Sequence, residues 1–420
     1  MNTIGVSLLI TLVCGTLAFA VAAPLKNDEK KPLTAEVVHW WTSGGESAAI
    51  RIVADDFNRR GGHWVDSAIA GGSAARTTVI NRILGGSPPT AMQFITGKEL
   101  DDLIHARMVN HIDDVAKRNH WDKVLPPLLV SSITREGKFY AIPVNIHGAN
   151  WLFYNKKLFN KLGLSEPRSW DDFFHAARVL RDNNYIPLAF GGEAWQERTT
   201  FLNVLLSYGG KELYLDALSN QRPGAITSPE MENVFRAFAR LRDFVDAGSP
   251  GRNWNDATNM VITGRAGMQF MGDWAKGEFL AAGMVAERDY GCVLNLGNQP
   301  LLMVGGDAFG FSRSDDPQVI AAQELLAETL MDRDTQLAFN QAKGSLPSRT
   351  DVDPQQLDAC SQKGLKALRD PAKQVPDVVM LMTPDQKGLL TDIVTEFWNR
   401  PSMTPEEATE KLAAALAAVI

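Results

Sequence analysis

Strand-like and helix-like segments alternate along most of this chain, and many breaks between them fall on glycine pairs; that alternation confines the fold to the α/β class with largely parallel sheets. The opening unit sets the pattern. Ala35-Glu36-Val37-Val38 reads as a strand and runs into His39-Trp40-Trp41-Thr42-Ser43-Gly44-Gly45-Glu46. Ala49, Ile52, Val53 and Phe57 then recur at helical spacing until Gly61-Gly62 stops the helix. Trp64 to Ala70 is the next strand, and the helix after Gly71-Gly72-Ser73 puts Val79, Ile80, Ile83 and Leu84 on one face. Ala91-Met92-Gln93-Phe94 follows as a short strand. Ligands of open α/β sheets sit beyond the carboxyl ends of strands, which is where Trp40, Trp41, Glu46 and Gln93 fall. Neighbouring side chains on a strand point to opposite faces, so one of the two tryptophans is expected to be packing.

A chain of 420 residues is too long for one ordinary domain and suits two lobes, each with its own core. The extended run from Phe139 to Asn155, continuing through Pro143 and Gly148, reads as the first crossing between them. Ser169-Trp170-Asp171-Asp172 and Ser228-Pro229 start helices; Met231, Val234, Phe235, Phe238, Leu241 and Val245 of the second form an apolar stripe that belongs in a core. Three later stretches repeat the chemistry of the opening. Ala266 to Trp274 is a strand ending in Gly272-Asp273-Trp274, Leu302 to Phe311 sets Asp307 among small residues between apolar strands, and Asn340 to Arg349 ends a helix with Lys343 on a Gly-Ser loop. Thr404-Pro405-Glu406-Glu407 has the form of a capping box opening the last helix.

Composition narrows the partners. With 45% hydrophobic and 22% charged residues and a net charge of −7 lacking any basic block, nucleic acid is not an expected ligand. Ile4 to Ala23 is almost wholly apolar and ends in Ala20-Val21-Ala22, the pattern of a cleavable secretory signal over residues 1–22. An uncleaved anchor is the competing reading, because Met1-Asn2-Thr3 carries no Lys or Arg and the run approaches the roughly 20 residues that span a bilayer. Beyond Cys14 remain Cys292 and Cys360, which an exported compartment would allow to bond but which are as easily two buried thiols. HExxH and G-x-S-x-G motifs are absent, every histidine lies at or before His175, and no metal or cofactor is implied.

A pyranose offers an apolar C–H face and a rim of hydroxyls that donate and accept. Trp40, Trp41, Trp254 and Trp274 supply flat faces, Glu46 and Asp307 accept, Gln93 does both, and Lys343 donates. The enzyme alternative is a glycoside hydrolase with Glu46 and Asp307 flanking the sugar; Asp307 taken alone, after Gly305-Gly306, is equally an ordinary turn residue.

Ala149-Asn150-Trp151-Leu152-Phe153-Tyr154-Asn155-Lys156-Lys157-Leu158-Phe159, the continuation through Leu162-Gly163-Leu164, Ser169-Trp170-Asp171-Asp172-Phe173 and Ile186-Pro187-Leu188-Ala189, and the later Gly264-Arg265-Ala266-Gly267-Met268, Gly272-Asp273-Trp274 and Lys343-Gly344-Ser345 resemble the solute-binding proteins of carbohydrate ABC transporters. The group is the one related to maltose-binding protein, and the likeness is greatest to its glucose- and mannose-type members. The resemblance implies a two-lobed periplasmic binding protein-like fold of type II with a ligand cleft between the lobes. Residues 34–146 plus 304–350 form lobe 1 and 147–303 plus 351–420 form lobe 2 in this reading. It implies a periplasmic monomer that binds a sugar and hands it to a membrane permease, with no catalytic activity. Positions matching Trp40, Trp41, Glu46, Gln93, Asp307 and Lys343 contact the sugar, Trp254 or Trp274 stacks on it, and His147 matches a histidine at the lobe junction. Two departures bear on the solute: Ile95 stands where the glucose-type pattern has a polar or basic residue, and Val378 to Pro384 lacks the pattern's histidine. Each lost donor would leave a sugar hydroxyl unpaired, at about 1–3 kcal/mol if buried, so the solute is expected to be glucose or another hexose, a disaccharide or a sugar derivative, with a binding protein for a non-sugar solute as the alternative.

Overall fold

A computed structural model describes Met1 and residues 32–297 and 299–419. Its first sheet has five strands in the spatial order Gly62–Ala68, Leu33–His39, Ala91–Ile95, Asp307–Phe311 and Ala141–Pro143. The first three run parallel, in the register Leu33 with Gly62 to His39 with Ala68 and Val37 with Ala91. Asp307–Phe311 and Ala141–Pro143 enter from later and earlier in the chain; the former is antiparallel to both neighbours. Ala35, Val37, Val53, Phe57, Phe94, Phe309, Phe311 and Phe339 form the core between this sheet and its helices.

The second sheet orders Tyr290–Leu294, Trp151–Asn155, Ala266–Met271 and Ile186–Leu188. A third, of three strands, sets Leu302–Gly305 between Gln374–Pro376 and His147–Gly148. Phe173, Phe201, Tyr214, Phe235 and Phe238 fill the core beside the second sheet, and the stripe beginning at Met231 is buried through Leu241, with Val245 half-buried at its end. The expectation of largely parallel sheets is corrected here. Trp151–Asn155 is antiparallel to both its neighbours, as is Asp307–Phe311, and His147–Gly148 is antiparallel to Leu302–Gly305. Periodicity shows that a segment is a strand but carries no direction; a chain that crosses to another sheet and returns re-enters from the opposite end.

Ser43 caps the helix Gly44–Arg59 and Ser169 the helix Trp170–Asp182, each in a full capping box, and Ser228 caps Pro229–Arg240. At the last helix, Pro405–Ala417, Thr404 accepts from the Glu407 amide, but the Glu407 carboxylate turns to Arg400 and the expected box is only half made. The expected signal segment lies outside the described residues apart from Met1. Among the described residues no helix is long and apolar enough to cross a membrane.

Cys292 and Cys360 are joined in a disulfide that ties Tyr290–Leu294 to the helix Ala359–Leu368. The sulfurs lie near Glu287, but paired thiols are not metal ligands. Closing a loop across a separation of 68 residues is worth about 4 kcal/mol by chain entropy. Reduction of the purified protein is therefore expected to lower its unfolding midpoint, and an unchanged midpoint after verified reduction would show that the bridge contributes nothing.

Candidate functional site

Where the three sheets meet, polar side chains converge below the surface. Asp307, the first residue of its strand, is held by its amide, which donates to Asn145 Oδ1 at 2.7 Å. Its carboxylate accepts from Gln93 Nε2 at 3.1 Å, from Asn145 Nδ2 at 2.9 Å and from His147 Nε2 at 2.9 Å. On the other side of the ring His147 Nδ1 donates to Asp273 Oδ1 at 2.5 Å, and Asp273 Oδ2 accepts from the Gly148 amide at 2.8 Å. With a carboxylate at each ring nitrogen both nitrogens donate, so the ring is an imidazolium. Burial opposes that charge, but Asp273 and then Asp307 outweigh it and push the His147 pKa up to about 9. Burial likewise opposes ionisation of Asp307, yet His147, Lys343 and Asn145 hold its carboxyl below the usual range.

A second pair lies on the first sheet's side. Glu46, third residue of its helix, accepts from the Ser43 amide as part of the cap and from Lys343 Nζ at 3.1 Å. Lys343 is only 2% exposed and sits 5.8 Å from the centre of the Trp41 ring. The tryptophan pair divides as alternation requires. Trp41 is 1% exposed, its ring packed on Phe309 and Phe339, so it supports Lys343 from within the core. Trp40 is half-buried, lies against Gly72, and donates its amide to Gln93 Oε1 at 3.0 Å.

Trp274 stands edge-on to the His147 ring, centroids 5.0 Å apart, and 6.3 Å from Trp195. Trp254 begins the helix Trp254–Ile262 and is half-buried, as is Trp274. Trp274 is thus directly beside the polar cluster. A Cβ on Gly272 would fall 2.0 Å from the Trp274 ring, so the indole position requires glycine there. Gly272→Ala is expected to shift Trp274, alter its fluorescence, and cost about 1–3 kcal/mol of stability by overpacking. Identical fluorescence and midpoint in the variant would show that the indole is not held by this contact.

Residues 40–325 match the model of the bacterial extracellular solute-binding proteins. The chain belongs to that family. Probable sugar-binding periplasmic proteins are similar to it over nearly their full length: that of Brucella suis is 36% identical, covering 97% of each chain, and that of Mesorhizobium japonicum is 38% identical, covering 91% of this chain and 93% of the relative. Among solved structures, the maltose-bound T. maritima protein superposes with a TM-score of 0.77 at 19% identity, covering 92% of this chain and all of the other. An ABC transporter solute-binding protein of Thermotoga lettingae bound to α-D-tagatose gives 0.77 at 20% identity, with 92% and 99% covered. The fold is the two-lobed α/β fold of solute-binding proteins.

In this solute-binding protein, helices from distant parts of the chain also touch through glycines. A Cβ on Gly45 would lie 2.6 Å from the Gly277 backbone, and one on Gly277 would lie 2.9 Å from the Ala342 carbonyl. The helix Ala275–Ala281 thereby crosses close to the start of Gly44–Arg59 and the end of Arg333–Lys343, and the Gly45 amide donates to Glu278 Oε1 at 2.9 Å. Ile95 packs against the same large core that contains Val378, Val379 and Met382, and Met380 packs against it too. Asn145 and Asp273 belong to the polar cluster and escaped the sequence reading. Asp273 was within reach of it, since it stands between the conspicuous Gly272 and Trp274. Two hollows, of about 440 Å³ beside His39, Trp64 and Asp66 and about 300 Å³ between Lys98, Arg135 and Leu381, lie apart from Asp307 and Trp274. Orientation of a polar solute depends on convergent polar groups and an aromatic face, which the Asp307 cluster and Trp274 supply, rather than on hollow volume.

Proposed function

We propose that the protein is the periplasmic sugar-binding component of an ABC transporter, taking a monosaccharide such as glucose or a related hexose into the cleft between its lobes. The observation that carries this reading is the buried set Gln93, Asp307 and His147 beside the Trp274 indole. An aromatic face next to oriented acceptors and donors matches a pyranose. Asp307, Gln93, Glu46 and Lys343 take hydroxyls, Trp40, Trp254 and Trp274 offer faces, and His147 with Trp41 orients the groups that touch the solute. The lobes are residues 34–146 plus 304–350 and 147–303 plus 351–420. Sugar contacts both lobes only when they close, so it favours the closed state, which as a monomer delivers it to the permease. Export by a cleavable signal over residues 1–22 accords with relatives named periplasmic.

No catalytic activity is assigned. A glycoside hydrolase acid needs a raised pKa, whereas Asp307 is held ionised and Glu46 is committed to a helix cap and to Lys343. The test is thermal unfolding of the mature chain with neutral mono- and disaccharides. Solute at about 100 times its dissociation constant adds roughly 2.7 kcal/mol, a visible rise in midpoint. No shift with any sugar, or steady turnover of an aryl glycoside, would overturn the reading.

A further inference from the structure

The larger of the two hollows is built like a solute site although it lies apart from Asp307 and Trp274. It measures about 440 Å³ and sits between the helix Gly44–Arg59 and Gly62–Ala68, the edge strand of the first sheet. Small-molecule sites usually span roughly 300–1,000 Å³. Trp64 and Asp66 stand two residues apart on the strand, so their side chains share one face. The Trp64 indole donates Nε1–H to Asp66 Oδ1 at 3.0 Å, and His39, 1% exposed, donates Nε2–H to the same oxygen at 2.9 Å. The other nitrogen of the His39 ring accepts from the Trp41 amide at 3.3 Å, which fixes this uncharged tautomer. Burial opposes the charge on Asp66, but the bonds from His39 and Trp64 hold its carboxyl below the usual range. Asp66 Oδ2 makes no hydrogen bond among the described residues. Across the hollow the helix supplies the Arg51 guanidinium and the Ser47 hydroxyl, with Thr42 on the turn before it. None of these three side chains makes a hydrogen bond among the described residues.

An exposed carboxylate on an edge strand ordinarily needs only water. Here a buried imidazole and an indole are both spent on one of its oxygens, which leaves the other oriented beside an aromatic side chain. Trp64 bonds to Asp66 through its ring edge, so that bond uses neither face of the indole. A pyranose laid on the indole would carry its equatorial hydroxyls to the rim where Asp66 accepts, and Arg51, Thr42 and Ser47 can serve the remaining hydroxyls. The charges of Arg51 and Asp66 cancel, which favours a neutral solute over an anion or a cation. We propose that this hollow is a second carbohydrate site, for a neutral pyranose unit, separate from the one around Asp307. Its own lining supports the assignment, independently of the reading of the Asp307 cluster.

The experiment follows the indole N–H resonances of the isotope-labelled mature chain during titration with glucose, galactose, mannose and maltose, the Trp64 signal being assigned by its loss in Trp64→Phe. Sorbitol, which has the hydroxyls but no ring face, and glycine, a zwitterion able to bridge Arg51 and Asp66, are the controls. At least one sugar is expected to move the Trp64 signal saturably, with a dissociation constant on the order of millimolar, the strength suited to one aromatic face and a few hydrogen bonds. The same midpoint should persist in Asp307→Ala. Arg51→Gln should weaken it by about fivefold or more while leaving binding at the Asp307 cluster unchanged. No sugar-dependent movement, an equal effect of sorbitol or glycine, a response lost in Asp307→Ala, or one indifferent to Arg51→Gln overturns the second site and leaves the cleft reading standing. A Trp64 response without any separate binding event that depends on Asp307 overturns the cleft reading alone.

Discussion

His147→Leu is expected to be among the most destabilising single changes in the protein, at about 3–5 kcal/mol, seen as a drop of several degrees in the unfolding midpoint. Among the described residues the imidazolium is the one side chain that contacts both Asp273 and Asp307, and both carboxylates are buried. Leucine fills part of the volume but leaves two acids facing each other without the cation. The penalty should shrink as pH falls into the carboxylate range, because protonation of either acid relieves the repulsion. A variant as stable as the parent at neutral pH would show that the acids find other partners.

The same contact sets a pH dependence in the unaltered protein. The folded pKa of about 9 is raised above the ordinary value of 6.5 by Asp273 and Asp307 against the opposing effect of burial. A raised histidine pKa contributes stability that is fully present below about 6.5 and is lost as pH rises through about 9. The amount is on the order of 3 kcal/mol. Stability measured from pH 6 to 10 should fall across that window in the parent, and the fall should be much smaller in His147→Leu. Parallel curves would remove His147 from the account.

Why some of this site was legible and some was not follows from where each residue sits. Glu46, Asp307 and Lys343 stand at the ends of regular elements beside small residues, and a polar group at such an end invites attention; Gln93, expected at a strand end, is instead the middle residue of Ala91–Ile95. The Trp40 and Trp41 alternation was legible for the same reason that any strand face is. Asn145 and His147 both lay within the run recognised as a crossing, but their shared partner Asp307 lies on a strand some 160 residues later and no local pattern connects them. Arg198 sits inside a helix, where an arginine ordinarily faces water, and Lys387 is a lysine in a first turn, where the helix dipole does not favour it. Only the packing of those two helices brings Arg198 to Thr391, one turn beyond Lys387. Strand direction was illegible throughout, since period-two alternation reads the same from either end.

Asp307→Ala tests the site's centre most severely and is expected to weaken solute binding by about a hundredfold or more. Asp307 is where three donors converge, Gln93 from one segment and Asn145 and His147 from another. Removing the carboxylate withdraws a charged acceptor from the solute, a loss of about 1.5–3 kcal/mol, and it also frees the Gln93 amide that the Trp40 backbone helps to orient. The two effects fall on the same solute and should exceed either alone. Loss of binding with a folded chain is the informative result, so circular dichroism and unfolding midpoint must accompany calorimetry. Asp307→Asn separates the contributions: it retains one carbonyl acceptor but places an amide donor among donors, so it should bind weakly while unfolding closer to the parent than Asp307→Ala. If Asp307→Ala remains folded and binds within threefold of the parent, Asp307 organises the lobe junction and does not touch the solute.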